Sequence, residues 1–164
     1  MLQQMTAERR HHNLSFLDSL SAGVSDKKEG RKILNYLSED YAAAIRIAGN
    51  LSSHAKWIPY PFLVNRLKKI ADEMRAQAEI IRVKVAELGG AVPQANVDIR
   101  EDVEFRQNVR RLVKDMEEHA AMSEAFIHQR NNIRDEGVIK LIDSISLEMQ
   151  KQKEELLDIV MRLS

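Results

Sequence analysis

Apolar side chains recur at three- and four-residue steps along four stretches of this chain, the spacing that lines one face of an α-helix. In the first stretch, 26–57, Leu34, Leu37, Tyr41, Ala44, Ala48, Leu51 and Ala55 share a stripe. In the second, 61–88, the stripe is Leu63, Leu67, Ile70, Met74, Ile81 and Leu88. The third, 102–132, carries Val109, Leu112, Val113, Met116, Ala120 and then Phe126 or Ile127. The fourth, 138–163, carries Val138, Ile142, Ile145, Met149, Leu156, Ile159, Val160 and Leu163. Four long amphipathic helices that each bury one face predict an all-α four-helix bundle.

Punctuation between the stripes supports the division. Ser25 is placed to cap the first helix, with Glu29 in its first turn to complement the helix dipole. Pro59 and Pro61 interrupt the pattern, and Pro61 suits the first position of the next helix. Gly89-Gly90, with Pro93 just beyond, ends the second helix. A turn at Arg134-Asp135-Glu136-Gly137 separates the third helix from the fourth. Each short turn requires antiparallel neighbours. The connector 89–101 could span ~40 Å when extended, about the length of a helix in the bundle. It can therefore cross the bundle and make the second and third helices parallel. Two antiparallel helical hairpins joined by one long crossover is the expected arrangement, over 26–164. Residues 1–25 precede it as an arm with the apolar group Leu14, Phe16, Leu17 and Leu20. That arm reads either as a short helix packed on the bundle or a neighbouring subunit, or as a frayed tail.

Composition narrows the function. The chain has 25 basic and 25 acidic residues among 164, without the strong positive field expected of a nucleic-acid binder. No stretch approaches the ~20 apolar residues that span a bilayer, and residues 1–25 lack a signal-peptide core. Cysteine is absent, which removes disulfides, thiolate ligands and cysteine nucleophiles. The expectation is a cytoplasmic protein that binds neither membrane nor nucleic acid. There is no Gly-rich phosphate loop, no Ser nucleophile elbow and no His-Glu-x-x-His pattern.

Each stripe is interrupted near its middle by a polar residue: Asp40, Gln77, His119 and Gln152 in turn. Asp40 lies 19 residues before Pro59 and Gln77 lies 18 after it; His119 lies 16 before Asp135 and Gln152 lies 17 after it. The count predicts one interior polar layer, in which unpaired groups would each cost about 1–3 kcal/mol. The second and fourth helices also share a motif. Residues 73–79 (Glu-Met-Arg-Ala-Gln-Ala-Glu) and 148–154 (Glu-Met-Gln-Lys-Gln-Lys-Glu) both fit E-M-x-x-Q-x-E.

Here the chain resembles the ferritin-like superfamily, and its bacterioferritin and rubrerythrin branch in particular. Ile70 to Glu79, followed by Leu88-Gly89-Gly90, looks like that family's second helix and its exit, and Leu37 to Ala43 resembles the first-helix ligand region with Asp40 in the Glu position. The resemblance implies a bundle holding two irons through Glu-x-x-His on the second and fourth helices and one Glu from each of the others. This sequence departs from that pattern. Met74 and Gln77 stand where Glu and His are expected, and Met149 and Gln152 repeat the exchange, while His119 or Glu118 falls at the third helix's Glu position. Shifting by one residue recovers Glu73 and Glu148 but puts Ala76 and Lys151 at the histidine positions. In that register the Lys151 ammonium would stand in for a metal between Glu73 and Glu148. Bacterioferritins bind haem through a methionine beside the second-helix Glu, but Met74 falls on the inward stripe and reads as core.

Two functional readings result. The first is a ferritin-like protein without an intact di-iron site, with a structural or partner-binding role and no catalytic or cofactor-binding residue. The second is a ferritin-like protein that binds iron or another divalent metal through an atypical set drawn from Asp40, Glu73, Gln77, Glu118, His119, Glu148 and Gln152, and oxidises or stores iron. A third possibility is an unrelated helical module whose interior polar residues fix helix register. A homo-oligomer of at least two copies is expected. His54 and His128 read as surface residues, and His11-His12 as a tail.

Overall fold

The computed structural model describes the backbone of residues 2–96 and 105–164 and the side chains of 26–96 and 108–164. It is an all-helical four-helix bundle of α1 (Leu2–Ala55), α2 (Pro61–Glu87), α3 (Phe105–Asn132) and α4 (Glu136–Leu163). Each helix packs against two others: α1 against α2 and α3, and α4 against α2 and α3.

The helix ends follow local chemistry. Tyr60 is extended (φ −111°, ψ 99°), as a residue before proline prefers, and Pro61 opens α2 where a missing N–H costs nothing. At the other end of α2, Gly89 takes φ +77° and Gly90 N donates to Val85 O at 2.9 Å, a left-handed exit that satisfies the last carbonyls. Gly90 is needed for space. A Cβ there would stand 2.7 Å from Leu34 Cδ2 and 2.8 Å from Val85 Cγ1. Asp135 caps α4 by accepting from Val138 N at 2.9 Å, which moves the start of that helix to Glu136, ahead of the expected Val138.

The expected helix start at Ser25 is not observed, because α1 runs continuously from Leu2 through that position. The apolar group Leu14 to Leu20 and His11-His12 have side chains outside the described residues. Leu88 does not join the core; α2 ends at Glu87 and Leu88 is 37% exposed beyond it. On α3, Phe126 is fully buried while Ile127 is 58% exposed, so the open choice between them falls to Phe126.

The buried seams keep strict three- and four-residue steps. On α1 the seam is Ile33, Leu37, Asp40, Ala44, Ile47, Leu51 and His54. On α2 and α4 the polar member is a single glutamine, Gln77 or Gln152, in a row of aliphatic residues and one methionine. On α3 the seam mixes polar and apolar residues: Asn108, Leu112, Asp115, His119, Met122, Phe126, Gln129. That helix cannot dock by apolar burial alone, because each buried polar group needs a partner. Its partners define the site. Among the described residues, no helix is long and apolar enough to cross a membrane.

Candidate functional site: a buried polar network

The centre of the bundle holds a reciprocal crossing between α2 and α4. Gln77 Nε2 donates to Glu148 Oε2 at 3.1 Å, and Gln152 Nε2 donates to Glu73 Oε2 at 3.2 Å. Four residues separate Glu from Gln in both helices, so one antiparallel register satisfies both bonds. The repeated E-M-x-x-Q motif thus folds into a pair of matching bridges. Gln77 and Gln152 are each 1% exposed. Glu148 is exposed and Glu73 half-buried, with Lys69 Nζ 3.8 Å from its carboxylate. The amides lie in the core and the carboxylates they hold lie at its rim.

His119 joins this layer from α3, with Nε2 3.0 Å from Gln152 Oε1. The network fixes its tautomer. A carboxylate only accepts, so Gln152 must turn its NH2 to Glu73 and its carbonyl to His119, and His119 Nε2 carries the proton. Burial lowers the imidazole pKa, partly opposed by the Gln152 bond and assisted by nearby Lys153, so the ring is neutral at pH 7. Its Nδ1 is a buried lone pair without a hydrogen-bond partner among the described residues, as is Gln77 Oε1.

Two further buried pairs join α1 to α3. Gln129 Nε2 donates to Asp40 Oδ1 at 2.8 Å, and His54 Nδ1 lies 2.5 Å from Asp115 Oδ2. Fourteen residues separate Asp40 from His54, and fourteen separate Asp115 from Gln129, so a single register again serves both contacts. Burial pushes the Asp40 carboxyl up to about 7, opposed by the Gln129 bond and reinforced by Glu39. Burial raises Asp115 as well, against the lowering effect of His54.

This geometry revises the expected site. Gln77, Gln152, His119, Glu73 and Glu148 do meet in one layer. Asp40 does not join them. It pairs with Gln129, ten residues beyond His119 on α3, or about 15 Å along the helix. The count from Pro59 assumed that the turn lies level with both helix ends, and it gave no information on how the first pair of helices meets the second. Glu118 points away from the layer and pairs with Arg46 Nε at 3.2 Å. Lys151 is exposed, which removes its ammonium as a substitute for a metal. Met74 and Met149 are fully buried core residues. His54 is 4% exposed and lies in the core, contrary to its reading as a surface residue, whereas His128 is exposed. Gln129, Asp115 and buried His54 were missed. The available signal was spacing in multiples of seven along the seams: Asp115 lies seven residues after Asn108, Gln129 fourteen after Asp115, and His54 fourteen after Asp40.

As a metal site the layer fits poorly. Among the described residues, no three His, Asp or Glu side chains come together as an ion would require. The two carboxylates of this layer, Glu73 and Glu148, already accept amide N–H groups, and neutral amides are weak ligands in their place. The arrangement instead holds the His119 imidazole by a hydrogen bond and links α2, α3 and α4 to one another.

No family model matches the chain, and no curated protein matches it. Among solved structures, it is similar to the crystal structure of protein XCC3681 from Xanthomonas campestris pv. campestris, at 16% sequence identity and a TM-score of 0.62, covering 83% of this chain and 92% of that one. At that identity the likeness concerns the fold alone.

Proposed function

We propose that this chain is a ferritin-like bundle, two helical hairpins joined by a crossover, whose central polar layer serves as a structural lock and whose role is structural or partner-binding. The observation that carries the reading is the reciprocal pair Gln77 to Glu148 and Gln152 to Glu73. The glutamines stand where the resemblance places metal-binding histidines, Met74 and Met149 stand at that register's Glu positions, and the neighbouring carboxylates Glu73 and Glu148 are taken up by the glutamine amides. A di-iron centre does not fit these residues.

The second reading, a metal-binding member that oxidises or stores iron, draws support from the buried lone pairs on His119 Nδ1 and Gln77 Oε1. Elemental analysis of purified full-length protein, then anaerobic Fe(II) addition and exposure to oxygen, separates the two. The structural reading expects no tightly held metal and an unchanged Tm in excess Fe(II), Mn(II) or Zn(II), since any ligand of the native state would raise it. Stoichiometric binding with rapid oxidation would overturn it.

A further inference from the structure

One face of α1 and the turn between α3 and α4 enclose a cleft of about 810 Å³. Lys28, Arg31, Lys32, Tyr36 and Glu39 fall at three- and four-residue steps, so a single side of α1 lines it. Ile133 and Arg134 line it from the turn. Glu29 ties the two walls together. It accepts from Arg134 N at 2.7 Å and pairs with Lys32 Nζ at 3.0 Å, while Lys32 also donates to Asn132 O at the end of α3. Those contacts, the Arg134 N–H first, hold the Glu29 carboxyl below its ordinary pKa. One carboxylate and one ammonium are thereby committed to the structure of the cleft.

Its other cations are uncommitted. Arginines elsewhere hold carboxylates, as Arg66 holds Glu155 and Asp158, and Arg130 holds Asp143. Among the described residues, Lys28, Arg31 and Arg134 are exposed and make no ion pair. Asp26 and Asp135 border a neighbouring hollow that Arg134 also lines, and neither pairs with it. Four cations against two carboxylates, Glu29 and Glu39, leave the lining with a net charge of +2, on a chain whose formal charge is zero. Guanidinium forks grip oxyanions two bonds at a time, and a phosphomonoester carries about −1.5 to −2 at neutral pH. The volume is many times the ~30 Å³ share of one water and within the roughly 300–1,000 Å³ of small-molecule sites, so an organic body fits beside the phosphate. Tyr36 and Ile133 offer that body an apolar wall.

We propose that this cleft binds a phosphomonoester with a small organic body, its phosphate held by Lys28, Arg31 and Arg134 and its body against Tyr36 and Ile133. The site is independent of the central layer and of whether that layer binds metal. The probe is phenyl phosphate, titrated into full-length protein at about 0.15 M salt and followed by calorimetry and amide NMR shifts. Saturable binding with Kd below about 1 mM is expected, with the shifts centred on Asn132 and Arg134. Arg31→Gln and Arg134→Gln should each weaken it about tenfold with unchanged circular dichroism, because both side chains are exposed. Lys151→Gln removes a charge fifteen residues beyond the start of α4 and should change binding by less than about twofold. Diphenyl phosphate, a singly charged diester, and benzoate should bind at least about tenfold more weakly. The proposal is overturned by no saturation up to about 10 mM, by an equal loss in Lys151→Gln, or by the diester or benzoate binding as tightly. Inorganic phosphate binding as tightly as phenyl phosphate overturns it too, leaving a site for an adventitious ion only.

Discussion

Gln152 Nε2 donates to Glu73 Oε2, and that bond sets which nitrogen of His119 carries the proton. Gln152 is thus the joint between α2, α3 and α4. Gln152→Leu keeps the volume but leaves the His119 Nε2–H buried without an acceptor. The expected cost is about 1–3 kcal/mol, read from the urea midpoint at constant m. Gln152→Glu restores that acceptor yet sets a second carboxylate against Glu73, so its stability should improve on acidification. Equal midpoints for wild type and Gln152→Leu would show that the layer contributes nothing.

Asp40 makes stability depend on pH in a defined direction. Its carboxyl sits at about 7 in the fold against an ordinary 3.8, so between those values the native state keeps a proton that the unfolded chain has lost. Its contribution is complete below the unfolded value and disappears as pH rises through the folded one, on the order of 4 kcal/mol. Asp40→Asn keeps a carbonyl for Gln129 and removes the titration. The variant should gain on wild type as pH rises from about 5 to 8, and parallel stability curves would contradict this account. Depressed His119 acts oppositely: its contribution is present above the unfolded pKa and lost as pH falls through the folded one. Subtracting the variant from the wild type isolates Asp40.

Much of the fold was legible because α1, α2 and α4 carry mostly aliphatic seams that periodicity reveals. On α3 half of the seam is polar, so the visible apolar residues, Val109, Val113, Met116 and Ala120, mark its half-buried flanks. The true seam of Asn108, Asp115, His119 and Gln129 looks like a solvated face until its partners are known. The central layer was partly legible because the same motif recurs on α2 and α4. The level of Asp40 was not, since it depends on how α1 meets α3, which no short loop fixes.

Among the described residues, His54 and Asp115 make a contact deep in the core, with side chains 5% and 4% exposed. A double-mutant cycle with His54→Gln and Asp115→Asn is expected to give a coupling of about 1–3 kcal/mol, because either change alone leaves the other group in the core with a poorer partner. Additive effects would mean that the two side chains act independently.

The exit of α2 gives two separable effects. Gly89→Ala meets open space but forces a side chain into φ +77°, a strain of about 1 kcal/mol. Gly90→Ala has no such strain and instead crowds Leu34 and Val85. Trimming Leu34 to Ala should therefore reduce the cost of Gly90→Ala and leave that of Gly89→Ala unchanged. Equal relief of both would contradict the steric argument.

The fourteen-residue spacing shared by Asp40 and His54 on one helix and by Asp115 and Gln129 on the other also bears on assembly kinetics. Apolar seams with a seven-residue repeat look alike to one another after any slide of one repeat. Here such a slide sets Asp40 against Met122 in one direction and Gln129 against Ile47 in the other, while a double slide brings Asp40 up to Asp115. Misaligned encounters between the first helix pair and the second should separate quickly, and only the aligned one should persist. The buried polar contacts then act as a checkpoint during folding, rejecting near-miss alignments that hydrophobic burial alone would tolerate.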